Sequence, residues 1–591
     1  MILQTGIRLL LWLAVVLAAF PLHALDRNAF TFTRYSLRAS IRPAEHEFQA
    51  SGTIELRNDS NSPQKEVTLQ ISSSLAWQEI HLEDHQPVAY ITQSYTSDID
   101  HTGMLDEAIV TLPEAIAPGA TLKLEVSYGG EIRRNSGRLT RVGAPESIIL
   151  QSDWDEIGER FGAVRGLGYV TWYPVSIEAV SLSEGNAVFD AVARWKQRHE
   201  QTTIHVALSL SFDAAHAAPL SLVTSGRTLP GASAQPEAFS SSKGSRVTVG
   251  VVGADFQTAS TPAFAYGEFL KLEGLAITVL HAPEQGDEAR AYADSAEQAE
   301  RVLADWFGPL KNKPQLVALR DLNAAAFESG SLVLAPLRSM SSQGRQLVLA
   351  RTLVHGSVVS PRKWVSEGLA RFGQALVRER LTGRASASEF LGQVLPALIE
   401  IERTAGSAPE AANRAERDSL INTNDELLHT GKSAYVWWML RDIVGDVALT
   451  KAIAAYRPEQ DREAAYVQRL IEAQCTPRCN LQPFFDSWVY HDYGLPDLRI
   501  DAANARQTVE NNHVVSVTVE NLTRVWVEVQ VSVKGASGDV RLTRLQVPGN
   551  AKSTTRIAFQ GVPAVAEIND GSVPQLDVSN NKKQVLLPGQ P

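Results

Sequence analysis

Cysteine is scarce in this sequence. The two cysteines in 591 residues, Cys475 and Cys479, stand in the segment Cys-Thr-Pro-Arg-Cys. No second ligand pair lies nearby, which counts against a C-x-x-x-C metal clip, the alternative interpretation of such a pair. In an oxidising compartment, two cysteines this close, with Pro477 turning the chain between them, are expected to form a local disulfide with a structural role.

Positive charge and long apolar runs are also lacking. The formal net charge of −11 argues against nucleic-acid binding and against a basic patch for a membrane surface. Beyond the N-terminus, no segment approaches the roughly eighteen uninterrupted apolar residues of a membrane span. No G-x-S-x-G element occurs, which argues against the serine hydrolases that use it. Gly431-Lys432-Ser433 lacks the first glycine of a phosphate-binding loop, because Glu426 stands at that position.

The N-terminus is the one strongly apolar stretch. Arg8 is the only charge before the apolar run of residues 9–20, which ends in Pro21-Leu-His-Ala. This pattern predicts a secretory signal peptide over residues 1–24, cleaved after Ala24, and therefore a periplasmic or secreted protein. The run is short for a transmembrane helix, although an uncleaved anchor is the alternative. No cysteine lies near the cleavage site, so a lipoprotein anchor is not expected.

Three regions follow, and together they predict a multidomain α+β protein. Residues 26–283 alternate apolar and polar side chains in short runs, such as 52–56, 67–71, 186–193 and 203–210, which predicts an antiparallel β domain with a surface loop at 231–244. Helical periodicity then dominates residues 284–495. Helices are predicted over 289–307, 346–355, 366–380, 387–402, 432–443, 447–456 and 462–473. Alternation returns in residues 496–591, which predicts a C-terminal β-sandwich.

Several motifs, in order along the chain, resemble those of the aminopeptidase N (membrane alanyl aminopeptidase) family of gluzincin zinc metallopeptidases. The likeness is carried by Tyr35-Ser-Leu with Gly52-Thr-Ile-Glu-Leu, Ala325-Ala-Phe-Glu-Ser-Gly-Ser-Leu, Trp364-Val-Ser-Glu-Gly-Leu-Ala-Arg-Phe, Lys432-Ser-Ala-Tyr-Val-Trp-Trp-Met and Phe484-Phe-Asp-Ser-Trp-Val. The resemblance implies an aminopeptidase N-like β domain, a thermolysin-like, mainly helical domain and a C-terminal β-sandwich. The chain is similar to a divergent member with a degenerate zinc motif.

The resemblance also assigns roles to individual positions. It implies that His355 and Glu367 are relic zinc ligands and that Glu328 grips the amino terminus of a substrate. The alternatives without a functional role are a core histidine for His355 and an ordinary strand-end carboxylate for Glu328. Where the family has its first histidine ligand this chain has Arg351, and Thr352 replaces the catalytic glutamate. Thr430 aligns with the family's oxyanion-stabilising tyrosine.

These departures decide the predicted function. A guanidinium stays protonated and cannot bind zinc, and a threonine cannot deprotonate a zinc-bound water. We therefore expect no zinc and no standard hydrolysis. Arg351 is expected to pair with Glu367, and with Glu328 across the cleft, and the cleft is expected to bind a peptide or protein partner. One alternative is an active zinc peptidase with rearranged ligands, in which His429 joins His355 and Glu367, so whether the chain is an enzyme stays open. Another is an assembly role with a filled cleft.

Overall fold

The computed structural model describes residues 25–213, 220–229, 234–240, 246–257, 260–406, 419–423, 425–508 and 512–587. The predicted signal peptide, residues 1–24, lies outside the described residues. Among the helices of the described ranges, none is long and apolar enough to cross a membrane. The chain runs from β sheets through a mainly helical region to further β sheets.

Strands dominate the N-terminal region. In the part that the structure describes, they are β1 (Phe30–Arg42), β2 (Glu47–Asn58), β3 (Gln64–Ser72), β4 (Leu75–Leu82), β5 (Gln86–Pro87), β6 (Ala89–Thr96), β7 (Met104–Ile116), β8 (Thr121–Glu131), β9 (Glu156–Ile157), β10 (Phe161–Val164), β11 (Thr203–Asp213), β12 (Ser221–Thr224), β13 (Arg227–Thr228), β14 (Ala234–Ser240), β15 (Arg246–Gln257) and β16 (Phe264–Gly267). The helices among them are α1 (Gly137–Arg141), α2 (Glu146–Ser152) and α3 (Ala187–Arg198). Alternation places Phe48, Ala50 and Ile54 of β2 in the core.

The largest sheet has the strand order β13-β15-β11-β1-β2-β8-β4-β5, with β14 also paired to β15. Smaller sheets have the orders β12-β16-β10-β9 and β3-β7-β6. The prediction of a wholly antiparallel domain is wrong at one place, because β1 and β11 are parallel partners. A parallel pair needs a long crossover, and local alternation carries no information about strand direction.

Two local predictions in this region are also wrong. Residues 186–193, predicted as strand, begin α3, because Val188, Ala191 and Trp195 recur at helical spacing and are all buried. The predicted loop at 231–244 contains β14, whose backbone pairs with β15 across an irregular register. Composition indicated a loop there, and backbone pairing with a neighbouring strand overrides it.

The middle region combines one sheet with a group of helices. Its strands are β17 (Leu270–Glu273), β18 (Thr278–His281), β19 (Gln315–Leu319), β20 (Phe327–Ser329) and β21 (Leu332–Pro336), in the order β17-β18-β19-β21-β20. This hydrogen-bonded sheet crosses the predicted boundary at 283/284. Its α-helices, in the described ranges, are α4 (Gly286–Phe307), α5 (Ser342–Ser357), α6 (Lys363–Thr382), α7 (Arg384–Gly392), α8 (Leu395–Gly406), α9 (Ser433–Val444), α10 (Asp446–Ala455), α11 (Tyr466–Glu472) and α12 (Gln482–Phe485).

One predicted helix of this region, 387–402, is wrong as a single element. The chain forms α7 and α8 instead, which are separated at Gln393 and Val394. Pro396 is the second residue of α8, where its fixed φ and missing N–H are tolerated. Gly392 ends α7, so a weak helix former and a proline together divide the segment.

Packing fixes α5 and α6 against each other and against α9. Ser341 caps the start of α5 by accepting a hydrogen bond from the Gly344 backbone N–H (3.1 Å). Gly368 of α6 lies so close to α9 that a Cβ there would stand 2.7 Å from Cβ of Ser433. The Trp364 and Trp437 rings stack with their centres 5.4 Å apart. Glycine at 368 therefore permits the close approach that seats α6.

The N-terminal region holds strand β20 from its other side. The indole N–H of Trp154 donates to the Ala325 carbonyl (3.0 Å), and the Ala325 N–H donates to the Gln151 carbonyl (2.8 Å). The Arg165 guanidinium lies over the Trp154 and Tyr169 rings, 3.9 and 3.7 Å from their centres. These contacts place the outer strand of the middle sheet next to α5.

The C-terminal region consists of two sheets that share one core. Its strands are β22 (Leu498–Gln507), β23 (Asn512–Asn521), β24 (Val527–Gly535), β25 (Val540–Val547), β26 (Lys552–Gln560), β27 (Pro563–Ile568) and β28 (Lys582–Gln584). The sheet orders are β22-β23-β26 and β25-β24-β27-β28. Val515 and Val517 of one sheet are buried in the same cluster as Val529 and Val531 of the other.

Candidate functional site

Three elements bring the predicted site residues together. Arg351 and His355 lie one turn apart on α5, and Glu367 lies on the second turn of α6. Glu328 is the central residue of β20, which runs beside them. The i, i+4 spacing on α5 presents the guanidinium and the imidazole on one face, toward both carboxylates.

An ion pair joins the two helices. Nη2 of Arg351 donates to Oε2 of Glu367 at 2.5 Å, and Nε of Arg351 lies 3.7 Å from Oε2 of Glu328. The Arg351 side chain is 33% exposed and that of Glu367 is 17% exposed. A charge-assisted bond this short in a partly desolvated place is among the stronger polar contacts in proteins. Arg351 therefore supplies the positive charge opposite Glu367.

His355 lies between the two carboxylates. Its Nδ1 is 2.7 Å from Oε1 of Glu328, and its Nε2 is 3.6 Å from Oε2 of Glu367. Burial disfavours the charged ring, yet the charges and hydrogen bonds of Glu328 and Glu367 outweigh burial and raise the pKa of His355 to about 9. Burial likewise opposes ionisation of Glu367, but His355, Arg351 and Lys363 hold the pKa of that carboxyl well below its usual range.

Thr352 and Thr430, which stand where the family has its catalytic glutamate and tyrosine, each donate a hydrogen bond within the protein. Oγ1 of Thr352 donates to Oε2 of Glu328 (3.1 Å), so this hydroxyl helps to hold the carboxylate. Oγ1 of Thr430 donates to the Glu426 carbonyl (2.9 Å) and so closes a bond within its own helical segment. His429 is buried, and burial, reinforced by the nearby Lys363 charge, lowers its pKa to about 4.

The donor set does not fit zinc. A catalytic zinc needs three protein ligands around one point, and a metal at Nε2 of His355 would find Glu367 as its second. Glu328 faces the opposite ring nitrogen, Nδ1, and Glu367 Oε2 is already bonded to a guanidinium. Among the described residues, no group of three or more His, Cys, Asp or Glu side chains could hold a metal ion.

Two lysines at the site were missed by the sequence analysis. Lys363 begins α6, one turn before Glu367, so its place beside the carboxylate could have been inferred from helical spacing. Lys196 comes from α3, and its charge interacts with those of Lys363, Glu426 and Glu367. No local signal indicated this, because the start of α3 was assigned to a strand.

The cysteines lie in the segment between α11 and α12. Their sulfur atoms are bonded in the structure, with the Cα atoms of Cys475 and Cys479 separated by 5.7 Å. The bonded sulfurs are not available as thiolate ligands for a metal.

Deprotonation of His355 should weaken the fold at alkaline pH. Its folded-state pKa of about 9 lies above the ordinary value of 6.5, so its stabilising contribution is complete below about pH 6.5 and is lost as pH rises through 9. We expect the free energy of unfolding to fall by on the order of 3 kcal/mol over that window. Chemical denaturation from pH 6 to 10 measures this loss.

The matching variant isolates the histidine from other groups that titrate at high pH. His355→Gln should remove most of the pH-dependent loss, whereas replacement of the exposed His85 with Gln should leave it intact. An identical slope in His355→Gln and the unmodified protein would contradict the charged-ring assignment.

Comparison with known proteins gives a distant likeness. No protein-family model matches the chain, and no curated protein matches it. Among solved structures, the chain is similar to the M1 zinc metallopeptidase from Deinococcus radiodurans, at 15% identity and a TM-score of 0.43, over 77% of this chain and 93% of that one. A mutant of that enzyme (17%, TM-score 0.41) and the mutant bound to a Tyr-Ser-Ala substrate (16%, 0.43) match over the same shares. The chemistry of the present site follows from its own residues.

Proposed function

We propose that the chain is an exported protein with a zinc-aminopeptidase-like body whose cleft binds a peptide or protein partner without hydrolysing it. One observation carries the proposal: the Arg351 guanidinium is bonded to Glu367, the carboxylate that a zinc ion at His355 would need. A permanently protonated side chain in this position opposes a divalent cation. The Arg351 guanidinium thus supplies the positive charge that a metal would otherwise provide opposite Glu367.

The absence of a base at position 352 supports binding without hydrolysis. Peptide hydrolysis needs a group that takes a proton from water as it attacks. Thr352 is buried and its hydroxyl donates a hydrogen bond to Glu328. His355 is held in its protonated form by two carboxylates. The described site thus has donors and charges for recognition, and the His355 imidazole is held as a cation.

The exposure of the site supports a binding cleft over a filled one. The side chains of Glu328, His355 and Glu367 are 17–18% exposed to solvent, and the Arg351 side chain is 33% exposed. Glu328 accepts one hydrogen bond on each oxygen, and a carboxylate has further lone pairs with which it could receive the amino terminus of a peptide. Partner binding through these charges is the use that this geometry supports best.

Export is supported by the N-terminal sequence and the cysteine pair. A charged residue, an apolar run and a small-residue cleavage site over residues 1–24 have the pattern of a secretory signal. The bonded Cys475 and Cys479 suit an oxidising compartment.

A second candidate function is zinc-dependent hydrolysis with rearranged ligands. It is favoured by Nε2 of His355, a buried ring nitrogen that has no hydrogen-bond partner within the described residues. Such a nitrogen could ligate a metal if the Arg351 side chain swung away from Glu367. This rearrangement breaks the shortest polar contact of the site, so we rank it second.

Peptide binding and aminoacyl amide hydrolysis, measured on the same preparation, separate the two functions. We expect short peptides to bind, with affinity that falls about ten-fold or more in Arg351→Ala because the charge arrangement of the cleft is lost. Hydrolysis should stay at the buffer rate with zinc added. Zinc-dependent turnover that disappears in Glu367→Gln would establish the second candidate and overturn the first.

A further inference from the structure

Lys196 is a half-buried lysine that the ion-pair network of the site leaves without a carboxylate. Its Nζ donates to Oγ1 of Thr261 at 2.6 Å. Within the described residues it forms no ion pair with an aspartate or glutamate. A desolvated ammonium whose only bonded partner is a hydroxyl is costly, because a neutral oxygen does not balance its charge.

A short chain of contacts places Lys196 beside the cleft. The Thr261 carbonyl accepts a hydrogen bond from Oγ of Ser329 (2.6 Å), and Ser329 directly follows Glu328 on β20. Lys196 therefore lies at the end of the strand that carries Glu328. Burial, and then the charge of Lys363, lower the pKa of Lys196 to about 7, while the charges of Glu426 and Glu367 act in the opposite direction.

Two of the nearby carboxylates, Glu367 and Glu328, are already bonded to other cations. Glu367 is bonded to Arg351, and Glu328 is bonded to His355 and Thr352. Glu426 is exposed to solvent. Lys196 is therefore a cation at the edge of the cleft to which no carboxylate is bonded within the described residues, and an anion bound there would relieve the cost of its desolvation.

We propose that Lys196 forms an anion-binding position that receives a carboxylate of a bound peptide. This inference rests on the proposed peptide-binding function and names the chemistry by which the peptide is held. A singly charged carboxylate suits the position better than a phosphate or sulfate dianion, because Glu367 and Glu426 lie near enough to repel a second negative charge. The carboxylate comes from the C-terminus or from an acidic side chain.

Three probe peptides distinguish these sources. N-acetyl-trialanine carries a free C-terminal carboxylate, its C-terminal amide carries none, and N-acetyl-Ala-Asp-Ala amide carries only a side-chain carboxylate. Calorimetric titration of the full mature chain should show that at least one acid binds about ten-fold more tightly than the neutral amide, the factor expected for one partly desolvated ion pair.

Substitution of the lysine links that preference to the position. Lys196→Gln should remove the preference for the acid and leave the affinity for the neutral amide unchanged, and Lys196→Arg should restore part of it. Lys451→Gln, at an exposed lysine of α10, is the matched control and should behave as the unmodified protein.

A measurement on the unmodified chain guards against misfolded variants. Acylation of Lys196 by a brief pulse of N-acetoxysuccinimide at pH 7, mapped by mass spectrometry, should slow about five-fold under saturating acid peptide, and acylation of Lys451 should not. Equal protection by sodium sulfate would show a general anion position and overturn the peptide-carboxylate assignment.

The outcomes separate this inference from the function on which it rests. If acid and amide peptides bind equally, in the unmodified protein and in Lys196→Gln, the carboxylate position is wrong and peptide binding stands. If no peptide binds, both are wrong.

Discussion

Replacing Arg351 with His and Thr352 with Glu should convert this chain into a zinc-binding protein. The double variant has the sequence H-E-x-x-H on α5, with Glu367 one helix further on. It gains a neutral imidazole ligand and loses a permanent cation that opposes the metal. We expect the zinc dissociation constant to fall at least about a thousand-fold, because a third ligand completes the set that a protein zinc site requires.

The single variants show which change acts. Arg351→His alone should bind zinc without gaining hydrolysis, because no base stands at position 352. Thr352→Glu alone should not bind zinc, and its new carboxylate would lie beside Glu328, with which Thr352 is now hydrogen-bonded. Isothermal titration with zinc and a competing chelator measures all three. Equal zinc affinity in the double variant and the unmodified chain would contradict the role given to Arg351.

The second large effect concerns the buried ion pair beneath the site. Asp155→Asn should destabilise the protein by about 3–5 kcal/mol, the cost of leaving a buried guanidinium without its anion. Asp155 is fully buried and accepts hydrogen bonds from the backbone N–H (2.7 Å) and side chain of Arg165, Nη2 at 2.6 Å. The Arg165 guanidinium also lies 5.9 Å from the centre of the Phe327 ring, on the strand that carries Glu328.

An exposed ion pair of the same chemistry is the control for that effect. Arg160 and Glu268 pair on the surface, where the Arg160 side chain is 65% exposed, so Arg160→Gln should cost less than about 1 kcal/mol. Urea denaturation at pH 7 measures both variants. A loss below 1 kcal/mol in Asp155→Asn would show that the buried pair does not hold the strand in place.

Local patterns in the sequence were sufficient for much of the fold. Helices α4, α5, α6, α9 and α10 lie where apolar residues recur at three and four, since their buried faces belong to one core. The parallel pairing of β1 with β11 could not be predicted, because it joins distant residues, such as Arg34 and Thr203, and the alternation within each strand is the same for either direction. The prediction for the start of helix α3 was wrong because a few residues there also fit the pattern of a strand.

The contacts of the site also divide into those that the local sequence predicts and those that depend on tertiary packing. The placing of Arg351, His355 and Glu367 follows from two adjacent helices and helical spacing, both of which are local. The contact of Glu328 with Thr352 and His355 depends on how β20 is docked by Trp154 and its neighbours. Lys196 reaches the cleft from the N-terminal region through Thr261, a tertiary contact for which the sequence has no signal.

The zinc content of the unmodified protein tests the central claim most directly. The protein, purified without chelator, equilibrated with micromolar zinc and desalted, can be analysed by inductively coupled plasma mass spectrometry together with a zinc titration. The ion pair between Arg351 and Glu367 predicts far less than one zinc per chain and no saturable site of micromolar affinity or better. Near-stoichiometric zinc held at micromolar affinity or better would contradict it.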